Sequence, residues 1–431
     1  MNFFFGLSIL LQKRINSGLY HYLVLLALIL PILTPLLYLV NVFDDITKRK
    51  LMKKRKIDLE NVPELNYDKT TSRNDVQYFT NGKKLFNDMF MEINEAKHYV
   101  HINTFAFNTD EIGKEFLNCL IKCLERGVEV IIICDKLGSL NMKKKYVKEY
   151  LTKGGKLVPL LSLLPGINYR NHRKVMIIDN KIAYLGGFNI GDKYLGKKKK
   201  LGKWVDSHIK IIGNAVEEIE KRFLADLMYA QKQQINVSNY LINHNFPGNQ
   251  MIEIVTSGID TTDFDLIENK VLEEIYQAKE KVYLQTPYLI LNDNMLNALL
   301  YAKNKGIDVK VMIPSKNDHP FVYQATLAYA SLLVNHGIDV FLFSNEAFLH
   351  AKVVIIDHHT LISTHNLDVR SFIYSLEIGA LVLDKDFTDY LTKVFLKQIT
   401  YCKQLTKEKV QTYPVWTKLK LALCRLLSHY L

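Results

Sequence analysis

The sequence predicts an α/β protein of two duplicated halves that share one active site, preceded by an N-terminal membrane segment. Three observations carry this. The pattern His-x-Lys-x-x-x-x-Asp occurs twice, over residues 172–179 and 350–357. Each copy follows a matching pair of stretches: residues 96–104 resemble 278–286, and the Gly-led 127–133 resembles 306–312. Residues 20–43 are apolar and carry no Asp, Glu, Lys or Arg.

The N-terminal run is long enough to cross a bilayer as a helix and has tyrosines toward both ends. Pro31 and Pro35 would kink such a helix, which leaves a re-entrant or hairpin segment as the alternative. The run is too long for a cleaved signal peptide, and no basic n-region with a clear small-residue cleavage site is evident. The seven basic residues between Lys48 and Lys56 outnumber Lys13 and Arg14 on the other side, so the body is expected on the cytoplasmic face of the cell membrane. Residues 1–56 are accordingly expected to be a membrane anchor and basic linker, separable from the chemistry, with the basic cluster solvated or docked on anionic headgroups.

Residues 57–240 and 241–400 are the two expected halves, parted by the polar stretch around Gln231 to Gln250. Each runs strand, amphipathic helix, Gly-led strand, helix, strand, motif strand, an alternation that builds a sheet with helices on its faces. Residues 401–431 form an amphipathic tail. Its Trp416, Leu419, Lys418 and Lys420 suit either a helix in the membrane interface or a final helix packed on the body. The five cysteines are odd in number and sit in apolar segments, which reads as reduced core residues.

The motifs carry the chemistry. In a strand, residues two apart share a face, so His172 projects with Lys174 and His350 with Lys352. If a pseudo-twofold brings the copies together, one imidazole can attack phosphorus while the other protonates the leaving oxygen. The lysines, with the amides of Asn189 and Asn366 that follow each motif, would stabilise the phosphoryl oxygens. Asp206 and Glu377 are the candidates for orienting the two imidazoles. Nothing in this scheme calls for a metal or another cofactor. The net charge of +12 suits an anionic partner. The apolar run, together with the lack of an aromatic-basic stacking platform, favours lipid over nucleic acid. Lys197–Lys200 are either a phosphate-binding patch or an exposed turn.

The motifs resemble those of the phospholipase D superfamily. The flanks Leu185–Asp192, Trp204–His208, Gln285–Tyr288 and Phe348–Lys352 look like its bacterial cardiolipin synthase branch. The resemblance implies two phospholipase D-type α/β/α halves, with His172 as nucleophile and His350 as acid. It also implies that Asp179 and Asp357, although part of the catalytic motifs, serve structure more than chemistry. The implied activity is a membrane phosphatidyltransferase that makes cardiolipin and glycerol from two phosphatidylglycerol molecules through a phosphohistidine. A hydrolase of phospholipids using the same intermediate is the alternative, since motifs do not determine the acceptor. A nuclease and an inactive scaffold are further readings, disfavoured by the membrane run and by the intact His and Lys pairs. Ser363 stands where relatives usually have Gly, and Ser375 and Gly379 where they often have Asn. A modest perturbation of the second half-site is expected.

Overall fold

The computed structural model describes residues 33–431 apart from 63, 162–167, 199, 264, 427 and 429–431. The first half contributes β1 (Asp68–Phe79), β2 (Tyr99–Thr104), β3 (Glu129–Cys134), β4 (Lys156–Pro159), β5 (Arg170–Asn171), β6 (Val175–Ile178), β7 (Ile182–Gly186), β8 (Lys203–Val205) and β9 (His208–Gly213). The second contributes β10 (Gln250–Ser257), β11 (Lys281–Gln285), β12 (Leu289–Ile290), β13 (Asp308–Ile313), β14 (Asp339–Leu342), β15 (Ala347–Leu349), β16 (Val353–Ile356), β17 (His359–Ser363), β18 (Leu367–Asp368), β19 (Ser375–Val382) and β20 (Lys403–Leu405). The helices are α1 (Leu33–Asn61), α2 (Gly82–Glu95), α3 (Glu111–Glu125), α4 (Lys144–Thr152), α5 (Ala215–Gln231), α6 (Leu266–Gln277), α7 (Asp293–Asn304), α8 (Pro320–Asn335), α9 (Val369–Tyr374), α10 (Lys385–Ile399), α11 (Lys407–Gln411) and α12 (Val415–Leu426).

The halves join in one continuous sheet. From its centre outward the first half runs β1-β9-β7-β6-β2-β3-β4, and the second runs β10-β19-β17-β16-β11-β13-β14, ending on β20. The two orders correspond strand for strand, and β1 pairs antiparallel with β10 where they meet, with Thr70 opposite Glu253. Duplication therefore extends to strands that the sequence reading passed over. β1 is rich in polar residues and half exposed along its length, so it lacks the apolar run that marks a central strand. Equivalent helices start on equivalent caps: Asp110 accepts from Gly113 N and Asn292 from Met295 N. They also end alike, because Gly127 and Gly306 take φ of +83° and +87°, the left-handed turn that releases the chain into β3 and β13.

Alternation along the strands splits the core into layers. Ile131, Val175, Ile177, Val353 and Ile355 face one side, where Phe223 of α5 and Leu391 of α10 complete a core continuous across both halves. Val130, Met176 and Ile178 face the other side and pack with Phe86 and Phe116 of α2 and α3. Val354 and Ile356 do the same with Val271 and Leu299 of α6 and α7. All five cysteines are free, and four of them are buried. At the C-terminus α12 packs on α8 through its buried Leu421 and Cys424. Its other face leaves Trp416 80% and Leu419 57% exposed. The helix is thus packed on the body, with an apolar face left exposed.

Among the described residues no helix is long and apolar enough to cross a membrane. Residues 20–32 of the apolar run lie outside them, and the basic residues that follow are helical, within α1. One of these departs sharply from a solvated or headgroup-docking lysine. Lys54 is fully buried, with its Nζ 2.5 Å from Asp58, 3.0 Å from Asp226 and 3.4 Å from Asp260. Arg173, between the two functional residues of the first motif, bridges Asp226 at 2.9 Å and Asp260 at 3.1 Å. Arg222 spans Asp58 at 2.7 Å and Asp226 at 2.8 Å. Three cations meet three carboxylates, so the cluster is neutral as a whole and intolerant of losing one member.

Lys54 thus ties this stretch to the body, because a chain without it leaves buried carboxylates short of a cation beside the first motif. Lys54→Ala is expected to lower unfolding free energy by about 3 kcal/mol. Urea unfolding of the full chain measures it, and a loss below about 0.5 kcal/mol would show that the cluster relaxes without Lys54.

Candidate active site

Each histidine motif enters the site along a strand borrowed from the other half. β5, just before His172, pairs parallel with the start of β19, Arg170 opposite Ser375 and Asn171 opposite Leu376. β15, just before His350, pairs parallel with β8, Leu349 opposite Val205. The pairing continues into the histidine backbones: His172 N donates to Leu376 O at 2.9 Å and His350 N to Val205 O at 2.7 Å. The next residue on each partner strand is an acid. Glu377 Oε1 thus lies 2.8 Å from His172 Nδ1, and Asp206 Oδ2 lies 2.6 Å from His350 Nδ1.

Both acids are fully buried and hydrogen-bonded through both oxygens. Glu377 also accepts from the Thr364 hydroxyl at 2.5 Å. Asp206 accepts from Trp204 Nε1 at 3.0 Å and Ser207 N at 2.9 Å. The carboxyls of both are held below their ordinary values despite burial: Asp206 by His350 and Lys352, Glu377 by His172 and Lys174. A carboxylate on Nδ1 makes that nitrogen the donor and leaves Nε2 with the lone pair. His172 therefore presents a basic Nε2, while the Nε2 of His350 also lies 3.4 Å from Lys352 Nζ.

That cavity has a volume of about 930 Å³ and is lined by residues of both halves, His172, Asn189, His350 and Asn366 among them. Burial keeps its imidazoles neutral. It lowers His172, and it lowers His350 to about 4 with the help of the Lys352 charge. The lysines are also strained electrostatically: burial brings Lys174 down to about 7 and Lys352 to about 8. Each ammonium is fixed on the carbonyl of its own motif histidine, Lys174 on His172 O at 2.7 Å and Lys352 on His350 O at 2.6 Å. Neutral imidazoles beside desolvated cations make a site prepared for a phosphoryl anion, which would restore charge balance on entry.

The remaining sequence candidates divide. Asn189 accepts from Ala106 N at 3.0 Å and donates to Tyr194 Oη at 2.9 Å, which leaves one amide N–H for the cavity. Asn366 lines the cavity with its Oδ1 unpaired among the described residues. Asp179 and Asp357 do not join the site. Five residues of strand place them roughly 16 Å from the motif lysines. There Asp179 accepts from Lys97, His98 and Tyr99 N–H groups at 2.8 Å each, and Asp357 clamps Lys279, Glu280 and Lys281 in the same way at 2.8–3.0 Å. They anchor the motif strand to β2 and β11. Lys197 pairs with Glu111 and Asp192, Lys198 reaches the cavity rim, and Lys199 lies outside the described residues.

The departures in the second motif compensate one another. In the first half Gly186 stands opposite His208, and a Cβ on Gly186 would come within 2.5 Å of the His208 Cα. In the second half the sizes are exchanged: Ser363 stands opposite Gly379, where a Cβ would lie 2.9 Å from that of Ser363. Ser363 is not among the residues with positive φ, so the serine costs no backbone strain. The glycine across the strand thus makes room for the Ser363 side chain. Sequence reasoning missed Thr364, which secures Glu377, and His365, raised to about 9 by its 3.1 Å contact with Asp265. Neither repeats at the equivalent position of the first motif, so duplication gave no signal for them.

A duplicated α/β sheet with two carboxylate-oriented histidines in one cavity, each beside a buried lysine of its own motif, defines a phospholipase D-type site. A family model described as cardiolipin synthase, PLD-like domain, matches residues 89–227 and 271–399. The chain is 37% identical over 368 residues to a cardiolipin synthase of Staphylococcus aureus, covering 83% of this chain and 74% of that one. It is 38% identical over 372 residues to the major cardiolipin synthase of Bacillus subtilis, covering 83% and 76%. The protein is an enzyme that belongs to the cardiolipin synthase family. The crystal structure of phosphatidylserine synthase from Haemophilus influenzae shares its fold, with a TM-score of 0.66 at 14% identity over 88% of this chain and all of that one.

The exchange of acids between halves has a direct spectroscopic consequence. Glu377→Gln is expected to lower the His172 titration further and leave His350 in place, while Asp206→Asn does the reverse. Histidine-labelled NMR titration of the two variants checks this, and a shift confined to the histidine of the same half would contradict the exchanged pairing.

Proposed function

We propose that the protein is a phosphatidyltransferase that makes cardiolipin and glycerol from two phosphatidylglycerol molecules, with a phosphohistidine on His172. The observation that carries this is the pair of imidazoles in one cavity, each with Nδ1 on a buried carboxylate, with Lys352 Nζ also 3.4 Å from His350 Nε2. His172 Nε2 attacks phosphorus, and the bond to the glycerol oxygen breaks as His350 delivers a proton to it. The negative phosphodiester raises the proton affinity of His350, which is otherwise neutral, so substrate entry itself loads the acid. Lys174, Lys352 and the Asn189 amide take up the charge that builds on the equatorial oxygens. In the second half-reaction His350 removes the proton from an acceptor hydroxyl, which attacks phosphorus as the bond to His172 breaks. Cardiolipin departs, and both histidines return to their starting states.

Two features support work at a membrane. Residues 20–43 have the length and composition of a membrane segment, and α1 continues out of that run into the buried ion cluster. The exposed apolar face of α12, with Trp416, Leu419 and Leu423 beside Lys418 and Lys420, suits an anionic bilayer surface. It lies near the cavity mouth, since Ser428 just beyond α12 lines the cavity and exposed Phe321 neighbours lining residue Val322. The basic residues of α1 favour a cytoplasmic body.

Purified full-length protein in vesicles of phosphatidylglycerol is expected to release glycerol and cardiolipin in equal amounts. His172→Ala is expected to lose turnover and the acid-labile phosphoenzyme by several orders of magnitude. Phosphatidic acid as the main product would instead establish a hydrolase, and a phosphoadduct on His350 would reverse the two histidine roles. Replacing Trp416 and Leu419 by Ala is expected to weaken vesicle binding roughly tenfold or more, read by flotation. Unchanged flotation would remove α12 from the membrane contact.

A further inference from the structure

An acceptor lipid makes demands that the two motifs do not meet. Its glycerol hydroxyl must enter from the side that the leaving glycerol vacated, beside His350, and its own phosphodiester charge follows a few bonds behind. The wall of the cavity next to His350 has matching chemistry. Trp204 lies against the His350 imidazole with ring centroids 4.8 Å apart, and Lys193 Nζ sits 5.3 Å from the centroid of that same indole. Lys193 lines the cavity and makes no ion pair among the described residues. It is held instead on the faces of Tyr194 and Trp204, as a cation waiting for an anion would be. Partial burial lowers its proton affinity, which an incoming phosphate would restore.

A second group faces the same space. Tyr288, whose ring centroid is 6.4 Å from that of His350, donates its phenol to Asp318 Oδ2 at 2.6 Å. Asp318 Oδ1 accepts from His319 N at 2.9 Å. Each oxygen of a carboxylate accepts two hydrogen bonds, so Asp318, which also lines the cavity, keeps acceptor positions for a polyol. Such an acid favours an alcohol with a second hydroxyl over one without, because only the former offers it a further donor.

We propose that Lys193 and Asp318 form the acceptor subsite: Asp318, oriented by Tyr288, accepts a hydrogen bond from the glycerol of the acceptor, and Lys193 pairs with the acceptor's phosphodiester. The subsite rests on the phosphatidyl-transfer reading above. It accounts for how one site handles two copies of one lipid, since the donor phosphorus lies between the histidines while the acceptor phosphate lies beyond His350.

The test lets two acceptors compete for one intermediate. Full-length enzyme is given phosphatidylglycerol vesicles in the presence of ethanol, which has neither a second hydroxyl nor a charge, and the ratio of cardiolipin to phosphatidylethanol is measured. Lys193→Gln is expected to lower that ratio roughly tenfold, and Lys193→Arg to keep it within about threefold of the wild type. Asp318→Asn is expected to lower it also, through lost recognition of the glycerol. Adding sn-glycerol 3-phosphate is expected to divert wild-type product to the lysine-dependent site far less than lipid does; equal diversion would assign the subsite to soluble phosphates and overturn the lipid assignment. Ratios unchanged in both Lys193→Gln and Asp318→Asn, or loss of both products in Lys193→Gln and Lys193→Arg alike, would overturn the subsite. A wild type that makes phosphatidylethanol but no cardiolipin would overturn the transfer reading and the subsite together.

Discussion

The site depends on one constraint: each histidine is oriented by an acid from the opposite half. The short parallel pairs β5 with β19 and β8 with β15 set the register that puts Glu377 on His172 and Asp206 on His350. A half folded alone would have a histidine with no orienting carboxylate and a carboxylate buried with no cation. The desolvation penalty of those acids makes separation of the halves costly, so the contacts that tune the imidazoles also hold the two halves in register. Chemistry and assembly share the same bonds.

A second exchange ties the N-terminal helix to that arrangement. Lys54 and Asp58 of α1, Arg222 and Asp226 of α5, Arg173 of the first motif and Asp260 of the second half close one neutral, buried cluster. Arg173 also donates to Glu377 O at 3.3 Å, the backbone of the residue that orients His172. A buried cluster of this kind adds little net stability over an apolar core, but it penalises every arrangement in which one member is absent. The helix that emerges from the apolar run is thereby held at a single position relative to His172.

The electrostatics of the cavity follow from burial acting on two kinds of base. It keeps the imidazoles neutral, which a nucleophile needs, and weakens the hold of the lysines on their protons. The cationic form of Lys352 is favoured below about pH 8 and that of Lys174 below about pH 7, so the positive field is lost as pH rises through those values. An entering phosphodiester reverses the trend by stabilising every positive charge around it. The resting site is thus under-neutralised in the sense that its substrate corrects.

Much of this was legible in the chain. The doubled His-x-Lys-x-x-x-x-Asp pattern, with Asn189, Asn366, Asp206 and Glu377 behind it, announced a duplicated sheet and the residues of its shared site, because strand periodicity puts His and Lys on one face wherever the strand lies. The Gly-led strands were legible for a similar local reason, since a left-handed helix end favours glycine in any fold. What stayed hidden was set by contacts between residues far apart in sequence. The polar β1 carries no apolar strand signal and is defined only by β9 and β10 on its two sides. Lys54 is indistinguishable from Lys53 or Lys56 until Asp226 and Asp260 surround it, and Lys193 from its lysine neighbours until Trp204 lies beneath it. Ser363 looks like damage until Gly379 stands opposite. Sequence by itself determined which residue types and repeats were present, through periodicities that any local segment carries. Only the tertiary structure decided which acid serves which histidine and which cation is buried, because those depend on pairing across the halves and on removal from water.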